Sequence, residues 1–269
     1  MFGRLAEMRA FVPPGTPLMA CTATASMSVK KEIIESLEMT GCVEVTASPD
    51  RPNIFYEVKP RSDVDTDFLP LVSTLREKSI NTPRVLVYCQ SLDMCADLYA
   101  HFHYELGEAS YHPPGSPHLS DFRLFGMFHA STPQHNKDVI LKSLLVPDGV
   151  VRVVFATVAL GMGIDLRDVN TVIHYGAPQS LEDYFQESGR GGRSGGNAIS
   201  TIFWKPVDCP VRKTPTTLRD HELITVRRYV ENVTVCRRKW LLDYFDVQVD
   251  AQASRCCDNC SNKAVVSDE

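Results

Sequence analysis

The stretch VVRVVFATVALGMGIDLRDVNTVIHYGAPQSLEDYFQESGRGGRSGG, Val150 to Gly196, decides the fold. It opens on an apolar, β-branched run, Val151–Ala156, of the kind a buried strand needs. A Gly-rich turn with Gly161, Gly163 and the acid Asp165 follows, then a second strand run at Thr171–Tyr175, a helical pattern at Leu181–Glu187 and a loop carrying Arg190 and Arg193. The layout predicts backbone N–H groups, one carboxylate and two guanidinium forks at the carboxyl edge of a parallel sheet, where α/β proteins bind ligands. It points to phosphate chemistry.

Working outward, strand patterns at Ile54–Val58, Val85–Cys89, Leu124–Phe128 and Ala198–Trp204 alternate with helical ones at Phe68–Lys78, Leu92–Leu106 and Gln134–Leu145. Such alternation predicts a mostly parallel sheet with helices on both faces. Gly107–Asp121, rich in proline, reads as a surface loop. Ser48–Asn53 and Pro206–Pro215 read as linkers. Before the first linker come a helix with Leu5, Met8 and Phe11 on one face, a strand at Pro17–Cys21 and a helix at Met27–Leu37. These cannot make a core by themselves and are expected to be the tail of a domain lying upstream. After the second linker, Leu223, Val226, Val230, Val233, Trp240, Leu241 and Tyr244 predict one or two amphipathic helices.

Composition narrows the function classes. The chain of 269 residues, 43% of them hydrophobic, supports a normal core in one or two domains. A net charge of -5 argues against a globally basic nucleic-acid binder, but residues 205–239 hold 9 Lys/Arg against 4 Asp/Glu, a local basic patch. Nine cysteines, an odd number, with no secretory leader pattern predict a reducing compartment, nuclear or cytoplasmic, and not a secreted disulfide scaffold. The apolar run Val153–Ile164 is too short to cross a bilayer, so no membrane partner is expected.

Arg190 and Arg193, three apart after a short helix and among glycines, can both reach one polyphosphate, and their planar forks suit its oxygens better than lysine does. The strand end at Thr157 with the following glycines offers a hydroxyl and amides to a phosphate, and Asp165 offers a carboxylate to a ribose.

Together with Thr22-Ala23-Thr24, these motifs resemble the C-terminal half of the motor of the RecQ family of superfamily-two DNA helicases, joined to that family's zinc-binding subdomain. ACTATAS resembles motif III, RVLVYCQS motif IV, FHASTPQHNK the segment after it, VVFATVALGMGID motif V and QESGRGGRSG motif VI; CRRKWLLDYFD and CCDNC resemble the zinc region. The resemblance runs from about Leu5 to Cys260. It implies a RecA-like fold followed by a small helical subdomain, divided as a remnant of a first motor domain and linker (1–49), a second motor domain (50–206) and a zinc-binding subdomain (207–269). It also implies that Arg193 is an arginine finger on the ATP γ-phosphate, with Arg190 beside it and Gln186 at the interface between motor domains. Asp165, with Gly161 and Gly163, would meet the nucleotide. Thr157, Ser91 and His129 would hold the translocated strand, and Arg237 and Arg238 would add basic contacts. Thr22 and Thr24 would couple nucleotide state to DNA grip. Without the family pattern, His129 reads as an ordinary strand-end histidine.

Cys257-x-x-Cys260 is a compact chelating pair, and Cys236 and Cys256 would complete a four-thiolate structural Zn²⁺ site. Family members usually separate the second and third ligands, whereas Cys256 and Cys257 are adjacent. That adjacency is expected to strain ligation by Cys256, with Cys209 or His221 as substitutes.

No G-x-x-x-x-G-K-[ST] loop and no Asp-Glu-x-His stretch occurs in the chain, so ATP and Mg²⁺ are expected to need a first motor domain supplied from outside it. The expected activity is that of an ATP-dependent 3′-to-5′ helicase on single-stranded and branched DNA, serving recombination, repair or replication, with this chain inactive by itself. The competing expectation is a non-enzymatic, zinc-stabilised nucleic-acid-binding module or a degenerate helicase remnant.

Overall fold

Alternate side chains of a strand point to opposite faces, and this sorts the core. A computed structural model of the chain describes residues 7, 10–13, 15–22, 27–45, 47–157, 160, 166, 168–210, 216–247 and 256–266. Six strands form one sheet: β1 (Ile54–Pro60), β2 (Arg84–Cys89), β3 (Phe125–Phe128), β4 (Val153–Ala156), β5 (Val169–Tyr175) and β6 (Ala198–Trp204), in the order β1-β6-β5-β2-β4-β3. All its pairings are parallel. Such a sheet must be covered on both sides. From β2, Val85, Val87 and Cys89 pack with α2 (Val64–Lys78) and α3 (Leu92–Leu106), while Leu86 and Tyr88 pack on the other face with α4 (Gln134–Leu145). Tyr88, His174 and Ile202 are lateral partners and share that second face. There α5 (Leu181–Ser188), α6 (Leu218–Glu231) and α7 (Arg237–Tyr244) build a further core.

Helix ends are set locally. Ser91 caps α3 by accepting from the Met94 amide at 3.1 Å, and Ser180 caps α5 by accepting from Asp183 at 3.0 Å. The last turn of α4 is closed from afar: buried Arg84 donates to the Ser143 and Leu144 carbonyls at 3.0 and 3.1 Å.

The C-terminal module docks on the open edge of β1. The Tyr56 amide donates to the Cys256 carbonyl at 3.1 Å, and the Val58 amide donates to the carboxylate of Asp258, first residue of α8 (Asp258–Val266), at 3.0 Å. The module thus satisfies strand groups that would otherwise face solvent.

The N-terminal reading divides. A helix does form at α1 (Met27–Ser36). Pro17–Cys21 is not a strand: its residues are exposed and pair with no strand among the described residues. Leu5 and Met8 lie outside the described residues, and Phe11 is exposed.

Candidate functional site

Strands β2, β4 and β3 lie side by side in register, with Tyr88 level with Ala156 and Ala156 level with Phe128. Residues just beyond them therefore share the carboxyl edge: Ser91 after β2, Thr157 after β4 and His129 after β3. Ser91 is exposed; Thr157 and His129 are half-buried. The His129 amide donates to the Thr132 hydroxyl at 3.0 Å, which donates on to the Met127 carbonyl at 3.2 Å, fixing the turn into α4. His129 Nδ1 is buried with no hydrogen-bond partner among the described residues. A cavity of about 270 Å³ opens beside it, lined by Arg123, His129, Ser131, Thr132 and Asn136 among others. Hydroxyls, an imidazole and the first amides of α3 and α4 thus converge on one edge, a donor-rich setting for anions.

The arginine loop lies elsewhere. It was expected at the carboxyl edge, but the Gly192 amide donates to the carbonyl of Val169, first residue of β5, at 2.9 Å. The Ala198 amide donates to the Asn53 carbonyl, just ahead of β1, at 2.9 Å. The loop backbone is therefore at the amino edge. The reason is connectivity: α5 leaves the carboxyl end of β5 and runs back antiparallel, so what joins it to β6 must lie at the opposite end.

The two arginines have different fates. Arg190 is 4% exposed, with its guanidinium close to the Tyr88 hydroxyl. Burial pushes that hydroxyl's pKa well above its usual value, against the lowering effect of the guanidinium. The Tyr88 ring stacks on His174 at 5.2 Å, and His174 Nε2 lies 2.8 Å from the buried Glu187 carboxylate. Arg190 Nε is buried without a partner among the described residues. Arg193 is exposed, its Nε 3.5 Å from the Gly189 carbonyl, and Gln186 is exposed on α5.

Sequence reasoning treated 48–53 as a linker and missed what it holds. Arg51 donates to the carbonyls of Gly189 and Gly191 at 3.1 and 3.0 Å, and Asn53 donates to those of Gly192 and Gly196 at 2.9 and 2.7 Å. Partners 138 residues away leave no local signal.

In the C-terminal module Cys236, Cys256, Cys257 and Cys260 bring their sulfurs within 4.8 Å of one another. Tetrahedral zinc with bonds of about 2.3 Å spaces its sulfurs at about 3.8 Å; here Cys236 stands 3.5 Å from Cys256 and 3.9 Å from Cys257. Backbone amides of Arg237 and Lys239 approach the sulfurs of Cys257 and Cys236 at 3.4 and 3.5 Å. Burial, then the Cys260 hydrogen bond, pushes the Cys256 thiol pKa up to about 12. The Cys236 contact and burial raise that of Cys257. Four sulfurs at this spacing, three of them buried and that of Cys260 half-buried, fit a divalent thiophilic ion, whose charge favours their deprotonation. Adjacency does not exclude Cys256: the chain passes from its bridge with Tyr56 at Cys257 directly into α8, and the bend turns both thiols toward Cys236. Cys209 is instead a core residue whose thiol pKa burial raises to about 11, and His221 is exposed outside the cluster.

Arg237 and Arg238 were expected to be nucleic-acid contacts, and the structure turns both inward. Arg237 is 3% exposed, with its Nε 2.6 Å from Asp258; Arg238 is 6% exposed and ion-paired with Asp50. Buried guanidinium groups need such partners. Arg219, Arg228 and Lys239 remain exposed from the basic stretch. Thr22 is exposed; Thr24, Gly161, Gly163 and Asp165 lie outside the described residues. No helix among the described residues is long and apolar enough to cross a membrane.

Comparison with known proteins follows the same division. Residues 68–195 match the helicase conserved C-terminal domain, and residues 211–262 match the RecQ zinc-binding domain. The chain is 34% identical over 263 residues to the ATP-dependent DNA helicase hus2/rqh1 of Schizosaccharomyces pombe, covering 93% of this chain and 18% of that protein. It is 32% identical over 264 residues to the RecQ-like DNA helicase BLM of Xenopus laevis, covering 92% and 18%. The chain thus spans about a fifth of these relatives. In fold it resembles Dbp5 of S. cerevisiae bound to RNA and ADP BeF3, with a TM-score of 0.57 at 15% identity, covering 98% of this chain and 57% of that one. A parallel RecA-like sheet, a four-cysteine cluster on its open edge and matches to both domains lead to one assignment: the chain belongs to the RecQ family of helicases, in the portion formed by the helicase C-terminal domain and the RecQ zinc-binding domain.

Proposed function

We propose that this chain is the second motor half and zinc-binding subdomain of an ATP-dependent DNA helicase that moves 3′ to 5′, divided near residues 50 and 207. ATP and Mg²⁺ would be held by a first motor domain, against which Arg193 presents its guanidinium. An arginine so placed neutralises charge that develops on the transferring phosphoryl group. Arg190 shapes the loop from within, Gln186 lies at the domain contact, and Asp165, Gly161 and Gly163 meet the nucleotide. Ser91, His129 and Thr157 grip phosphates of a single strand, so that closure of the two motor halves moves the grip along DNA, with Thr22 and Thr24 coupling the two events. The structural zinc holds the C-terminal module against β1. Its action would be nuclear or cytoplasmic, in recombination, repair or replication.

The observation that carries this reading is that the loop is anchored by Arg51, Asn53 and Val169 and yet leaves Arg193 exposed. The test is unwinding by the full-length protein of duplexes with a 3′ or a 5′ single-stranded tail. ATP-dependent opening of the 3′-tailed substrate is expected. Strand binding without nucleotide turnover would instead establish a zinc-stabilised binding module.

A further inference from the structure

Asp50-Arg51-Pro52-Asn53 touches both functional regions at once. At its start, Asp50 pairs with Arg238 of α7, two residues beyond Cys236; both oxygens are engaged, one by Arg238 Nε at 2.7 Å and the other by its terminal nitrogen. Next, the Arg51 fork spans two carbonyls of the arginine loop, those of Gly189 and Gly191. Past Pro52, the Asn53 amide spans two more, those of Gly192 and Gly196. Four side-chain hydrogen bonds thus enter a loop of eight residues, each from a donor outside it. The fit is close: a Cβ built on Gly192 would lie 2.4 Å from the Asn53 amide nitrogen, and Gly192 has a φ of +62°.

We infer that Arg51 and Asn53 are positioning residues that set the arginine loop, and that Asp50 ties their segment to the zinc-bearing helix through Arg238. The inference rests on the proposed role of Arg193, because a brace matters for phosphoryl transfer only if the loop carries the finger. Its physical basis is that an exposed arginine on a glycine-rich backbone has many conformers, whereas stabilising a transition state needs its guanidinium within a fraction of an ångström of one place. Clamping Gly189, Gly191, Gly192 and Gly196 removes backbone freedom on both sides of Arg193 without touching its side chain. Asp50–Arg238 then makes the position of this segment depend on α7, whose first turn is set by Cys236.

Two measurements test this. In the full-length protein, Arg51→Lys and Asn53→Asp should lower kcat for DNA-stimulated ATP hydrolysis by about 10-fold or more. KM for ATP should stay within about two-fold, the signature of an interaction needed in the transition state. Zinc content should be unchanged, and the loss of kcat should exceed what any drop in Tm accounts for. Asn53→Asp keeps the shape but sets an acceptor against two carbonyls, so it acts even if Arg51→Lys retains one contact. An unchanged kcat, or a loss that tracks Tm, overturns the positioning role. Separately, amide hydrogen exchange at residues 189–196 of this chain, which needs no nucleotide, should be about 10-fold faster in Asn53→Asp. Asp50→Asn should quicken the same amides with zinc still bound. Unchanged exchange in Asn53→Asp overturns the brace, and in Asp50→Asn overturns the link to α7. If the wild-type protein hydrolyses no ATP, the functional reading fails while the exchange result still decides whether the brace exists.

Discussion

Two arginine pairs, Arg190/Arg193 in the loop after α5 and Arg237/Arg238 at the start of α7, look alike in sequence and end in opposite situations. Both α7 arginines are buried against carboxylates, Asp258 and Asp50, that stand 21 and 188 residues away. In the loop one arginine is buried on a tyrosine hydroxyl and the other is exposed. The contrast teaches that a guanidinium's role is decided by the groups it meets. The α7 arginines, beside interior carboxylates, join elements; Arg190 is packed within its loop, and Arg193 lies at the surface.

Perturbing the partners of each pair breaks or sharpens this contrast. The largest effect belongs to the metal beneath α7: Cys257→Ser, or a strong chelator, should release zinc and unfold the C-terminal module, since structural zinc contributes on the order of 10 kcal/mol of folding free energy. Metal analysis with circular dichroism checks it, and a metal-free wild-type module that stays folded would overturn it. Next, Arg193→Ala in the full-length protein should cut kcat for ATP hydrolysis by about 10³-fold or more while nucleotide binding persists. Normal turnover in steady-state assays would remove the finger assignment. Arg238→Ala should cost about 3 kcal/mol by leaving the largely buried Asp50 carboxylate unpaired, and should leave single-strand affinity unchanged at fixed salt. Denaturant melts and a binding titration distinguish this from a phosphate contact, whose loss would lower affinity and reduce the salt slope by about one. The smallest effect is at the cap: Ser91→Ala should lower stability by about 1 kcal/mol and also weaken strand binding, so loss of stability with full affinity would leave Ser91 a cap alone.

Much of the second motor domain is legible from pattern. α3, α4 and β6 begin and end where the apolar periodicity places them, because each is bounded by a cap, a turn or a glycine. Pro17–Cys21 failed as a strand because apolar character without a neighbouring strand leaves backbone groups nothing to pair with. The arginine loop was placed at the wrong edge by reading motifs V and VI as one unit. Counting the reversal at α5 puts the arginine loop at the amino edge.

By itself, then, the chain of residues determined the fold class, the family and the identity of the chemical groups: a parallel α/β sheet, two arginines in a glycine-rich loop and four cysteines of a zinc-binding pattern. Those depend on local periodicity and residue type, which any short window carries. Tertiary structure decided which arginine is exposed, that Cys256 joins Cys257 around one point, that Arg237 and Arg238 face inward, and that Arg51 and Asn53 hold a loop 138 residues or more away. Each of these is a contact between segments distant in sequence, and its existence depends on strand order and helix docking, which no single segment encodes.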